Sequence, residues 1–219
     1  EEKQTGSINA GVSVGTIDGF AVVAGLSERN FYGTGRSVKA LLNTSEDRNQ
    51  YTLETTDRLS YENDIDVSYK VNYIQEDFSN ASSYKLDTFT SGVGFAYKVN
   101  DQLRHNLQLD YVIKDYSITN SSTVASAISK SAGENISFLL SNNLLYSTLN
   151  SGFIPKNGRY LKFSNFIETP SSSNNGYVRN IVTYKNYKLI NKNIFSLQSR
   201  VGNVISLSNN DILTNDKFS

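Results

Sequence analysis

The chain has 219 residues, with 21 Lys and Arg against 21 Asp and Glu, no cysteine and a single histidine, His105. Without cysteine there is neither a disulfide framework nor a thiolate metal site, and one histidine is too few for a histidine-based metal centre. A net charge of zero, with both signs spread along the chain, offers no basic patch for nucleic acid and no acidic solubilising tail.

Proline occurs only at Pro155 and Pro170, while tyrosine and phenylalanine number 14 and 11 among many serines, asparagines and threonines. That mixture favours strands joined by polar turns. The chain opens Glu1-Glu2-Lys3-Gln4, with no initiator methionine and none of the regions of a signal peptide, so it reads as an internal fragment. Its most apolar stretch, Phe20 to Leu26, is far shorter than the roughly 20 residues of a membrane-spanning helix.

Period-two alternation runs along the chain. The first candidate strand, Thr5 to Gly15, sets Ile8, Ala10, Val12 and Val14 against Ser7, Asn9, Gly11 and Ser13. Gly19 to Phe31, Arg36 to Thr44 and Gln50 to Leu59 follow. Three segments in the middle are clearest. Ile65, Val67, Tyr69, Val71 and Tyr73 alternate with Asp66, Ser68, Lys70 and Asn72. Phe89, Val93, Phe95, Tyr97 and Val99 oppose Thr90, Gly92, Gly94, Ala96 and Lys98. Leu103, Leu107, Leu109, Tyr111 and Ile113 oppose Arg104, Asn106, Gln108, Asp110 and Lys114. Asn135 to Leu149, Arg159 to Thr169, Tyr177 to Ile190 and Ile194 to Leu207 complete eleven strands. Many are near the 9–11 residues, roughly, that a tilted membrane strand requires.

Short turns near Tyr61 to Asp64, Asn100 to Gln102, Ser151 to Gly158 and Asn191 to Asn193 alternate with longer links. The longer ones are Gln75 to Ser83, Ser117 to Glu134, Pro170 to Gly176 and the segment after Ser208, with two early links near Thr16 to Asp18 and Ser45 to Asn49 that are simply short. Membrane barrels have short periplasmic turns and longer outer loops, so this alternation puts the N-terminus at the periplasmic rim. The fold expected is all-β: an antiparallel up-and-down transmembrane barrel. A soluble β-sandwich also alternates faces. Strand length, lumen-like faces and tyrosines near strand ends (Tyr61, Tyr84, Tyr111, Tyr116, Tyr160, Tyr177) favour the barrel.

Two stretches point to a family. Ser27-Glu28-Arg29-Asn30-Phe31-Tyr32-Gly33-Thr34-Gly35-Arg36 resembles the first periplasmic turn of the BamA family, the bacterial surface antigen group of outer-membrane assembly factors. Gly33 and Gly35 can take positive φ there. Gly152-Phe153-Ile154-Pro155-Lys156-Asn157-Gly158-Arg159-Tyr160-Leu161 is similar to the family's Pro-x-x-Gly hairpin between strands eight and nine, with Pro155 setting φ and Gly158 the reversal. Thr5-Gly6-Ser7-Ile8-Asn9-Ala10-Gly11-Val12 looks like its first strand, and Thr16-Ile17-Asp18-Gly19-Phe20 like its first hairpin. The motifs follow in family order.

The resemblance implies the first eleven or so strands of a barrel of about sixteen, with POTRA domains upstream and closing strands downstream lying outside this chain. The segment Leu213 to Ser219 resembles the approach to the family's lumenal Arg-Gly-Phe-type loop. It further implies an integral protein of the bacterial outer membrane that folds and inserts other barrels. Its partners would be unfolded outer-membrane proteins, outer-membrane lipids and periplasmic assembly lipoproteins reached through the POTRA domains. By the same token the edge Thr5, Gly6, Ser7, Ile8, Asn9, Ala10, Gly11, Val12 and Ser13 is the docking edge for a client strand at a weak seam. A secretion pore of the two-partner type and a diffusion porin are the rival functions, and a soluble binding sandwich is a third.

No enzyme, cofactor or metal is expected. The carboxylates Glu54, Asp57, Glu62, Asp64 and Asp66 are spread over polar faces and turns rather than paired as in glycosidases. Asp101, Arg104 and His105 have no serine in a nucleophile turn beside them. His105 sits on an otherwise apolar face, where an interfacial or lumenal role is expected. Asn135-Ile136-Ser137 fits the glycosylation pattern only formally, and Gly33-Thr34-Gly35 lacks the helix and third glycine of a nucleotide site.

Overall fold

A computed structural model of the chain describes residues 5–15, 19–60, 65–170 and 176–208. The expected turns near Thr16 to Asp18 and Tyr61 to Asp64 lie outside these, as do most of the Pro170 to Gly176 link and the segment beyond Ser208. Eleven strands form one antiparallel sheet in which every strand pairs with its sequence neighbours, β1 to β11 in order. They are β1 (Gly6–Gly15), β2 (Gly19–Glu28), β3 (Ser37–Ser45), β4 (Arg48–Ser60), β5 (Ile65–Asp77), β6 (Tyr84–Lys98), β7 (Leu103–Ile118), β8 (Gly133–Ser147), β9 (Gly158–Glu168), β10 (Tyr177–Ile190) and β11 (Asn193–Ser206). The expected order is therefore observed, and its boundaries move mainly at the long-link rim. There β5, β6 and β7 run on to Asp77, back to Tyr84 and on to Ile118, because cross-strand pairing carries a ladder past the end of local alternation.

Register follows from alternation plus turn chemistry. Rows of directly paired residues share a face. One such row runs Tyr51, Tyr73, Phe89, Ile113 and Ile136. The adjoining face carries the row Glu54, Lys70, Gly92, Asp110, Leu139, Glu168 and Tyr177. That second face holds nearly all the buried strand side chains, including Val112, Ser137, Ser164 and Ile181, and is the inner face; Val67 is the exception. The outer face displays Leu53, Tyr69, Phe95, Leu109, Phe138, Leu161 and Val182, the pattern of a lipid-facing band.

Of the tyrosines expected near strand ends, three lie there and turn inward. Tyr84, Tyr116 and Tyr177 are on the inner face and only 3–4% exposed, and the two long links fold back over Tyr84 and Tyr116. The Phe78–Ser83 link contains a one-turn helix, α1 (Ser79–Ser82), and the Thr119–Ala132 link contains α2 (Ser126–Lys130). Phe78, Ile118 and Ile128 pack on Tyr84, Leu86 and Tyr116, with ring centroids 5.0 Å apart for Phe78–Tyr84 and 6.0 Å for Tyr84–Tyr116. A hydrogen bond of 2.6 Å between the Ser83 and Thr123 hydroxyls joins the links. Each aromatic pair contributes about 0.5–1.5 kcal/mol beyond burial, so this end is held by packing as well as by the ladder.

The short turns are built differently. Asn191 and Lys192 both take positive φ, 48° and 70°, which gives the two-residue hairpin whose twist matches the flanking strands.

Candidate functional site

The docking edge implied by the resemblance maps onto β1, with Thr5 just before it. The Thr5 carbonyl accepts a hydrogen bond from Arg29 N–H (3.1 Å), which ties the strand's start to the end of β2. β1 pairs with β2 without a bulge, from Gly6 opposite Glu28 to Gly15 opposite Gly19. Ser7, Asn9, Gly11 and Ser13 share the inner face, and Ile8, Ala10, Val12 and Val14 the outer one, as alternation requires. Ile8, Val12 and Val14 are 71–82% exposed. A Cβ placed on Gly11 would meet nothing within 4 Å. The strand is held by its backbone ladder to β2 and by little side-chain packing.

The turn after β2 is more elaborate than a glycine reversal. β2 stops at Glu28, short of the expected Phe31, and Phe31–Gly33 form a single 3-10 turn. Asn30 organises it: its side-chain carbonyl accepts from Gly35 N–H (2.6 Å), its backbone carbonyl from Gly33 N–H (3.0 Å), and its own N–H donates to Glu28 (2.9 Å). Gly33 and Gly35 take positive φ as expected, and Tyr32 does so as well at 51°. The Phe31 and Tyr32 rings meet edge to face, with centroids 4.5 Å apart.

The Pro155–Gly158 turn has a similar asparagine. Asn150 accepts from Lys156 N–H (2.9 Å) and Asn157 N–H (3.0 Å) through its side chain. Asn157 in turn accepts from Leu189 N–H of β10 (3.1 Å). Gly158 has φ +114°, and a Cβ there would overlap the Thr148 backbone. The docking edge and the two turns are separate places in the sheet, not one pocket.

Two polar constellations on the inner wall escaped the sequence reading. Lys70 of β5 reaches Asp110 of β7 at 3.6 Å, across β6. The residue between them in the row is Gly92, whose absent Cβ is where Asp110 Oδ1 sits. Gly94 one step on allows the Ser68 hydroxyl the same close approach. The period-two pair of glycines inside an otherwise regular strand was the available signal. Further along, Glu168 is 2% exposed, accepts from the Ser137 hydroxyl (2.8 Å) and lies 3.6 Å from the Lys114 ammonium.

The expectation for His105 is met on its interfacial side. Its ring nitrogens lie 2.7 Å from Tyr97 Oη and 2.6 Å from Asn142 Oδ1, all three residues facing outward. Asp101 instead pairs with Lys98 at 2.9 Å, whose ammonium holds its carboxyl below the usual carboxylate range.

Comparison with known proteins agrees with this architecture. The crystal structure of BamA from Haemophilus ducreyi lacking POTRA domains 1–3 superposes with a TM-score of 0.79 at 21% identity, covering 97% of this chain and 43% of that one. This chain thus spans less than half the length of that structure. The family model for the Omp85 superfamily domain matches residues 30–219, and that match over most of an eleven-stranded barrel wall assigns the chain to the Omp85 superfamily.

Proposed function

We propose that this chain is part of an outer-membrane barrel that folds and inserts other β-barrel proteins, with β1 as the template on which a client strand docks. The family match over residues 30–219, beside a fold shared with a BamA barrel, carries the reading. Its mechanism makes and breaks no covalent bond. A client strand would add to the edge of β1 through backbone hydrogen bonds, and side chains would set register. Gly6, Gly11 and Gly15 suit such an edge, since a strand with few packed side chains can exchange partners at low cost. The partners proposed are unfolded outer-membrane proteins, outer-membrane lipids and assembly lipoproteins held through POTRA domains.

Cysteines at Ser7, Asn9 and Ser13 in the full-length protein should form disulfides with the terminal strand of a stalled client. Ser68 and Gln108 are matched controls, being inward-facing and flanking Gly94 in one row of the central sheet. Equal capture at edge and control positions, or none at either, would move the preference to a transport pore.

Orientation is testable separately. With short turns periplasmic, cysteines at Asn80 and Ser122 should react in intact cells with an impermeant reagent, and those at Thr34 and Asn157 should not. Asn80 is the better reporter in its link, because the neighbouring Ser79 hydroxyl is buried. Ser173, in the next long link, lies outside the described residues. The reverse labelling pattern would invert the assignment.

A further inference from the structure

The zero net charge conceals a division along the chain. Residues 1–134 carry 12 basic and 18 acidic side chains, whereas residues 135–208 carry 8 basic and a single acidic one, Glu168. The boundary falls at the start of β8.

Half of the eight basic residues gather at the short-turn end of β8–β11. Lys156 is in the β8–β9 turn and Lys192 in the β10–β11 turn. Arg159 and Lys188 belong to the outer face, in the same alternation as Leu161 and Val182. The elements are tied together by the Asn157–Leu189 hydrogen bond.

The same rim under β3–β7 is arranged differently. There Arg36 pairs with Asp57 (2.7 Å), Arg58 with Asp66 (2.9 Å) and Lys98 with Asp101 (2.9 Å). No ion pair of this kind involves Lys156, Arg159, Lys188 or Lys192 among the described residues. A merely solvated rim has no reason to pair Arg36, Arg58 and Lys98 with carboxylates on one flank and to carry no carboxylate beside the four cations of the other.

Between these cations the β8–β9 turn holds out Phe153, 93% exposed, and Ile154, 59% exposed. They are presented rather than loose: the Ser151 hydroxyl accepts from both their N–H groups, at 3.3 and 3.2 Å. Unpaired cations beside displayed apolar side chains match a lipid interface, where the apolar groups enter the acyl boundary and the cations reach phosphates.

We propose that the short-turn rim of β8–β11 binds anionic phospholipid headgroups, through Lys156, Arg159, Lys188 and Lys192, with Phe153 and Ile154 seated in the acyl boundary. The site would anchor this flank of the barrel at the leaflet beneath it. It rests on the membrane-barrel reading but not on the insertase one.

The test uses full-length protein in mixed micelles of detergent with equal phosphatidylcholine and phosphatidylglycerol, scored by native mass spectrometry for retained lipid. Preference for phosphatidylglycerol should fall roughly tenfold or more when K156Q, R159Q, K188Q and K192Q are combined. Combining K162Q, K185Q and R200Q, which removes basic residues of the inner face, should leave it unchanged. A spin label at Phe153→Cys, in vesicles of the same lipids, should be shielded from an aqueous relaxation agent. This second readout leaves the four cations intact, so it holds even if the quadruple variant folds poorly.

Equal phosphatidylglycerol preference in the two combined variants, or a label at position 153 fully open to water, would overturn the rim site alone. Binding of an acidic peptide but not of phosphatidylglycerol would overturn it in favour of a protein partner. Absence of bound lipid on every variant, wild type included, would sink the membrane reading with it.

Discussion

Replacing Lys114 by methionine is expected to cost the folded barrel about 3–5 kcal/mol, the range for removing one partner of a buried ion pair. Glu168 is almost entirely shielded from water, and the Lys114 side chain is only 16% exposed. Without the ammonium, the carboxylate keeps the Ser137 hydroxyl but loses the cation placed 3.6 Å away. Exposed pairs such as Lys98–Asp101 behave differently, because Asp101 is 95% exposed and such pairs contribute about 0–1 kcal/mol. The pairing also predicts its own rescue. A Lys114→Met, Glu168→Gln double variant removes both charges and should recover most of the loss. Urea unfolding of the full-length protein in lipid vesicles, followed by heat-modifiable gel migration, measures both. A Lys114→Met variant within about 1 kcal/mol of wild type would show that Glu168 does not depend on this partner.

Gly158→Ala is the second large effect, and its size is best read within a graded series. At Gly11 an added Cβ meets nothing within 4 Å, so alanine there should be nearly neutral for stability. At Gly33 the space is also open but φ is +73°, so the cost is that of left-handed backbone alone, about 1 kcal/mol. At Gly158 φ is +114° and the Cβ would also run into the carbonyl of Thr148. That carbonyl is backbone, and Thr148 is bound to Arg159 at the neck of the hairpin, Thr148 N–H donating to the Arg159 carbonyl at 2.9 Å. Neither atom can move without opening the first rungs of β9. Alanine there is expected to cost about 3 kcal/mol or more, and to do so through the pairing of β8 with β9. The measurement is the same unfolding series. An order in which Gly33→Ala costs more than Gly158→Ala would contradict the strained geometry of the hairpin.

Much of this protein was legible in the sequence alone. Alternation over Ile65–Tyr73, Phe89–Val99 and Leu103–Ile113 defined strands and their two faces, because a strand's side chains have a period of two whatever lies beside it. The first-strand faces, the glycine turn after β2 and the Asn191–Asn193 reversal were readable for a similar reason: each depends on contacts within a few residues. Tertiary structure decided the rest. Alternation and position put Tyr84, Tyr116 and Tyr177 near strand ends, but it is the tertiary structure that folds the links carrying Phe78 and Ile128 inward over the first two and buries all three on the inner face. The ion pairs Lys70–Asp110 and Lys114–Glu168 join residues 40 and 54 positions apart. Their existence depends on the register of three consecutive strands, and on glycine occupying the one intervening position over which Lys70 reaches Asp110. The division of charge could be counted from the sequence, but that half of the basic cluster lines one rim while the rest faces inward is a matter of strand direction and pairing. Local periodicity specifies which side of its own strand a residue takes; which distant residue it then meets is set only when cross-strand hydrogen bonds align the strands.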